Sequence, residues 1–118
     1  TDFCVKLVDV SPSGRAINLT SGILRARFRD SLEHPSLLSP GTVYDFRIDG
    51  GSTAVQIRKG HSLRLEVTSS NFPCWDRNTN SGNNPMKDTY ADIRVATTQV
   101  FHDRAHPSCM VVHGWEDR

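Results

Sequence analysis

The sequence predicts an all-β fold, a thin two-layer sandwich of short antiparallel strands. Three observations carry this. Apolar residues alternate with polar ones at a period of two through most of the chain. No long window shows the 3.6-residue period of an amphipathic helix. Turn signals divide the chain into about eight short strands at spacings of roughly 8–12 residues, the signature of a sandwich.

Phe3, Val5 and Leu7 alternate with Cys4, Lys6 and Val8 to give the first strand. Ser11-Pro12-Ser13-Gly14 then turns the chain: proline suits the second position of a turn and glycine a later one. Arg15 to Leu19 returns, so residues 3 to 19 read as a β-hairpin. Leu24, Ala26 and Phe28 form one face of a third strand, with Arg25, Arg27 and Arg29 on the other. Three arginines in line resemble an anion-binding stripe, but the simpler expectation is the wet face of a half-buried strand, neutralised by Asp30 and Glu33.

Ser31 to Gly41 is a loop interrupted by Pro35 and Pro40, with room for one helical turn over Ser31 to Leu38. Tyr44, Phe46 and Ile48 alternate again, and Asp49-Gly50-Gly51-Ser52 ends that run. Val55 and Ile57 precede a turn at Arg58-Lys59-Gly60-His61, and Leu63, Leu65 and Val67 build the next strand. Ser69 to Pro85 is rich in Asn, Gly and Pro, residues that supply left-handed backbone and side-chain turn bonds. Loops of such length are uncommon unless functional or mobile. Ile93 to Phe101 and Cys109 to His113 close the strand series; a single domain over residues 1–113 and a frayed polar tail over 114–118 follow.

Composition narrows the function classes. The chain has 118 residues, one domain's worth, with 36% apolar residues and a net charge of +1. That balance argues against a nucleic-acid binder, whose footprint is a basic excess. No apolar run approaches the roughly 18 residues of a membrane span. The first residues carry no leader pattern, and the start at Thr1 predicts a processed or fragment boundary. Three widely spaced cysteines, Cys4, Cys74 and Cys109, predict reduced thiols filling core positions and a cytoplasmic setting.

Chemistry-bearing patterns are few. A Gly-x-Ser-x-Gly elbow, a phosphate loop, a dinucleotide fingerprint and a Cys-x-x-Cys pair are all missing from the sequence. His102 and His106 lie four apart, with Cys109 and His113 following, but Pro107 opposes the helix that would align them. Asp103 and the histidines are therefore expected to cap turn backbone, with no metal and no cofactor. Phe72, Trp75, Asp76, Arg77 and Asn78 form the candidate site. Aromatics beside Asp, Arg and Asn fit a self-contained loop, a protein interface or a sugar-binding surface.

At these residues the sequence resembles a known family. Asp2-Phe3, Lys6-Leu7-Val8-Asp9-Val10-Ser11-Pro12-Ser13-Gly14-Arg15-Ala16-Ile17-Asn18-Leu19, Gly22 to Arg29, Lys59-Gly60-His61-Ser62-Leu63-Arg64-Leu65 and Ser69-Ser70-Asn71-Phe72-Pro73 carry the likeness. Asp76-Arg77-Asn78, His102-Asp103 and His106-Pro107-Ser108 complete it. Together they resemble the C-terminal domain of X-prolyl dipeptidyl-peptidases, cocaine-esterase-type hydrolases and α-amino-acid ester hydrolases. The resemblance implies a jelly-roll β-sandwich of the galactose-binding-like type, lacking its first strands. It implies an α/β-hydrolase domain, in cis or in trans, that carries the serine, acid and histidine, so no catalytic residue falls in this chain. Three departures from the family pattern stand out: the start at Asp2, Cys74 where the family loop often has a basic or aromatic residue, and the polar end His113 to Arg118.

Two functions follow as expectations. The first is a non-catalytic accessory domain, or its freestanding relic, that packs against a hydrolase; strands missing from a sandwich leave an open edge, which predicts homodimerisation through the sheet. The second is an autonomous jelly-roll module for carbohydrate or another small ligand, which requires Trp75 and Trp115 exposed near one groove.

Overall fold

The computed structural model describes Thr1 to Gly114. Its regular structure is antiparallel β apart from two single 3₁₀ turns, at Ala26–Phe28 and Tyr90–Asp92. Strand β1 (Asp2–Val10) lies at the centre of one sheet, with β2 (Ala16–Arg25) on one side and β3 (Ser62–Thr68) on the other, both antiparallel to it. The all-β expectation holds at this level.

The predicted hairpin forms for the predicted reason. Gly14 takes φ +85°, a conformation glycine adopts without a Cβ penalty. Its N–H donates to the Ser11 carbonyl at 2.9 Å, and the Ser11 N–H donates to the Arg15 carbonyl at 2.9 Å. The ladder shifts register between Leu7 and Val8, where Leu7 pairs with Thr20 and Val8 with Asn18, so Leu19 is the extra residue of a β-bulge.

Register sorts the side chains. Val5 pairs with Gly22 and Val67, Leu7 with Thr20 and Leu65, and Asp9 with Ile17 and Leu63, placing these residues on one face. Cys4, Lys6 and Val8 share the other face with Ile23, Ser21 and Asn18. The buried apolar residues are Cys4, Val5, Val8 and Ala26, a small core centred on β1.

Two pieces of irregular chain close on this sheet. Phe46 packs on Phe3 with ring centroids 4.7 Å apart and planes tilted by 40°, and the Asp49 carbonyl passes directly over Gly22. The Arg58–His61 turn closes with Gly60 at φ +86°, as the sequence predicts, and its His61 Nδ1 lies 2.8 Å from Oδ1 of the buried Asp9.

Several expectations need correction. The second and third expected strands are one continuous strand, because the bulge at Leu19 carries the ladder through the polar stretch Thr20-Ser21. That strand ends at Arg25, since Ala26 N–H donates to the Thr1 carbonyl and the chain enters a 3₁₀ turn instead of continuing to Phe28. Tyr44–Ile48, Val55–Ile57, Ile93–Phe101 and Cys109–His113 are not strands among the described residues. Alternation sets which side chains face together, but a strand exists only where a neighbour accepts its backbone hydrogen bonds. Ser31–Leu38 holds no helical turn; the Ser31 hydroxyl accepts the N–H groups of Glu33 and His34 instead. Of the cysteines only Cys4 is buried, and burial pushes its thiol pKa up; Cys74 and Cys109 are exposed because their segments lie outside the sheet. The tail beyond Gly114, with Trp115, lies outside the described residues.

The chain exposes 9793 Å². A compact monomer of 13.2 kDa exposes about 6,400 Å². Its radius of gyration is 16.7 Å, against about 13.5 Å for a compact domain of this length. Leu63, Leu65 and Val67, on the apolar face of β3, are 39%, 44% and 40% exposed.

Candidate functional site

The loop after β3 is anchored by backbone first. The Asn71 carbonyl accepts the N–H groups of Cys74 at 2.9 Å and Trp75 at 3.4 Å, making one tight turn. That turn sends successive side chains in different directions. Phe72 points out, 62% exposed, with the Arg77 guanidinium 5.5 Å above its ring. Trp75 is half-buried and, with Asp76, lines an open cleft of about 310 Å³. The other walls are Ile23 and Arg25 of β2 and Phe28 of the following turn.

Asn78 turns the opposite way, into the protein. Its Nδ2 donates to Asp2 Oδ1 at 2.6 Å, and its Oδ1 accepts the Asn80 N–H at 2.9 Å. Asp2 is 2% exposed and also accepts from Arg25, Nε to Oδ1 at 3.0 Å and Nη2 to Oδ2 at 3.1 Å. One buried carboxylate therefore ties β1, β2 and the loop. The five candidate residues do not converge on a single point: Phe72 and Arg77 form an exposed pair, Trp75 and Asp76 a cleft, and Asn78 a structural tie.

The arginine stripe is bound up in the same framework. Arg25 is held by Asp2, and Arg27 Nη1 donates to the Asn83 carbonyl at 2.9 Å. Arg29 donates to the Ala26 and Ser36 carbonyls, pairs with Asp30 and lies 4.7 Å over the Tyr44 ring. These side chains staple loops to the sheet, rather than forming the wet face expected of them.

The asparagine-rich segment folds around Asp88. Thr79 and Ser81 hydroxyls and the Asn83 Nδ2 all donate to its carboxylate. Asn80 adopts φ +56°, which asparagine tolerates, and its Nδ2 donates to the Arg94 carbonyl. The hydroxyl donors, Ser81 first, hold the Asp88 pKa below its ordinary 3.8. A depressed carboxylate pKa stabilises the fold above the ordinary value and loses that contribution as pH falls through the native one. Acidification below pH 3.8 is thus expected to lower the thermal midpoint of the wild type more than that of Asp88→Asn. Parallel midpoint curves for the two proteins from neutral to acid pH would show that Asp88 carries no such linkage.

In the histidine segment Asp103 caps the turn as expected, while the His102 and His106 rings make no hydrogen bond to backbone among the described residues. Asp103 Oδ1 accepts the N–H groups of Ala105 and His106, each at 2.8 Å, and the His106 ring packs on Phe101 at 5.1 Å. Among the described residues, no group of three His, Cys, Asp or Glu side chains is arranged to hold a metal ion.

Sequence reasoning missed Asp2 and Asp88 as organisers. Asp2 was hidden because its partner depends on the bulge. Asp88 had a visible signal, an acid following a run of Thr, Ser and Asn, which side-chain hydrogen bonding to a carboxylate turns into a nucleus.

The architecture and this loop define a β-structured module in which most of the conspicuous polar side chains hold the module's own turns. The chain belongs to the family of the X-Pro dipeptidyl-peptidase C-terminal non-catalytic domain, which it matches over residues 1–111. It is 40% identical over 112 residues to cocaine esterase from Rhodococcus sp. (strain MB1 Bresler), an alignment that covers 95% of this chain and 20% of that protein. The chain thus spans about a fifth of the length of this relative. The family read from the motifs is the family found, and the chain corresponds to a non-catalytic domain.

Proposed function

We propose that this chain is an accessory domain of an X-Pro dipeptidyl-peptidase or cocaine-esterase-like serine hydrolase, and that it acts by packing against the α/β-hydrolase domain holding the nucleophile, acid and histidine. In that setting its strands complete a jelly-roll sandwich of the galactose-binding-like type. The observation that carries this reading is uncovered apolar surface. The total exposed area, 9793 Å², exceeds that of a compact monomer by roughly 3,400 Å², and large apolar side chains are part of it; a standard interface takes about 800 Å² from each partner. Leu63, Leu65 and Val67 lie side by side on a sheet face, next to the exposed Ile17 across Asp9. Water exclusion over such a face supplies the driving force for permanent packing.

The purified chain is expected to give no turnover of an aryl ester or a prolyl anilide. Turnover abolished by a serine-reactive phosphonate would overturn the accessory reading. Both β2 and β3 are edges of the sheet, so an isolated copy is expected to cover itself by edge pairing; light scattering on the same sample reads this, and a monomer at micromolar concentration refutes it.

A further inference from the structure

The Trp75–Asp76 cleft has a chemistry that the packing function leaves unassigned. Its floor and walls are apolar or aromatic: Ile23, Phe28 and Trp75. Two charged groups border it, Arg25 and Asp76. They are not equivalent. Arg25 is neutralised by its two hydrogen bonds to the buried Asp2. Asp76 is exposed and, among the described residues, has neither an ion pair nor a side-chain hydrogen bond. Asp76 is therefore the one charged group in the lining without a direct partner, beside an indole and a phenyl ring, while the neighbouring Arg77 guanidinium lies over the Phe72 ring.

Resting on the accessory reading above, we propose that this cleft receives a long cationic side chain, arginine or lysine, presented by the hydrolase domain. Such a side chain has two parts that the cleft matches separately. Its methylene stem suits the apolar walls, and its charged head suits a carboxylate and the negative face of an indole. A volume of about 310 Å³ is room enough for a long side chain. A neutral aliphatic side chain would fill the walls and leave Asp76 unanswered. An acidic one would face Asp76 with like charge. Trp and Arg are both enriched among interface hot spots, and the Phe72–Arg77 pair beside the cleft gives the anchor an aromatic rim.

The test is a titration of the full chain with N-acetyl-arginine amide, reading the Trp75 indole N–H signal by NMR, with N-acetyl-leucine amide as the neutral control. A single anchor without its interface binds weakly, with half-saturation on the order of 10 mM. The arginine compound is expected to give a saturable Trp75 shift that the leucine compound does not. Asp76→Asn is expected to weaken it about fivefold, and Asp76→Glu to retain it. Equal shifts with both compounds, no saturable shift at Trp75, or an undiminished response in Asp76→Asn would each overturn the proposal. None of these outcomes touches the accessory reading, which fails only in the hydrolysis assay.

Discussion

Asp2→Ala is expected to cost about 3 kcal/mol and to release the loop that follows β3 from the sheet. The carboxylate is 2% exposed, so nearly all of its hydration is lost on folding. Three donors replace that water: two from the Arg25 guanidinium and one from the Asn78 amide. Deleting one member of a buried charged pair costs about 3–5 kcal/mol, because the partner is left desolvated without compensation. The Arg25 side chain is 25% exposed and regains some water, which sets the estimate at the low end. Asn78→Ala removes both the donor to Asp2 and the acceptor of the Asn80 N–H, and is expected to cost about 2 kcal/mol. Urea midpoints of the two single variants and the double variant test the claim. The two effects should be non-additive, since Asp2 and Asn78 are the two partners of one hydrogen bond. Trp75 fluorescence should shift in Asp2→Ala, because the turn that carries the indole is tied down three residues later by Asn78. An Asp2→Ala midpoint equal to that of wild type would remove Asp2 from the centre of the fold.

This tie also shows where the sequence was legible. Ser11-Pro12-Ser13-Gly14 announces the hairpin, and the alternation in Phe3–Leu7 announces which side chains share a face. Counting back from the turn without a bulge pairs Asp2 with Leu24. With Leu19 bulged, Asp2 faces Arg25. One extra residue on β2, invisible in the alternation, thus decides that a buried acid meets a guanidinium. The strands expected at Tyr44–Ile48 and Val55–Ile57 failed for a related reason. Alternation there reports an apolar face, and Phe46 does pack on Phe3, but the ladder partner that would make a strand is a non-local property. For the candidate loop, the sequence placed Phe72, Trp75, Asp76, Arg77 and Asn78 together because they fall within seven residues. A tight turn at Asn71 then separated them by direction, which side-chain type alone does not reveal. The family was the most legible feature of all, since ordered motifs spread along the chain survive local uncertainty about strands.

Gly22→Ala is expected to be comparable in cost to Asp2→Ala, for a steric reason. A Cβ built on Gly22 would lie 1.9 Å from the Asp49 carbonyl oxygen, 2.9 Å from its carbon and 3.2 Å from the Gly50 Cα. All three are backbone atoms, so no side chain can swing away to make room. The Asp49–Gly50 segment must lift by more than an ångström, which strips the Thr20 hydroxyl from the Gly50 carbonyl it bonds at 2.5 Å and pulls at the Phe46–Phe3 contact. Two effects of opposite sign compete. Glycine to alanine at a compatible position stabilises by about 0.4–1 kcal/mol through the unfolded chain. Overpacking against fixed backbone costs about 1–3 kcal/mol and sometimes more, and a contact this short belongs at the upper end. Gly50→Ala supplies the control: its Cβ meets nothing within 4 Å and its φ is not in the left-handed region, so its midpoint should stay within about 0.5 kcal/mol of wild type. Gly22→Ala should also speed amide exchange along β2 and raise protease cutting between Asp45 and Ser52, while Gly50→Ala does neither. Equal stability and equal cutting for the two variants would show that the Asp49 crossing is not held against the sheet at Gly22.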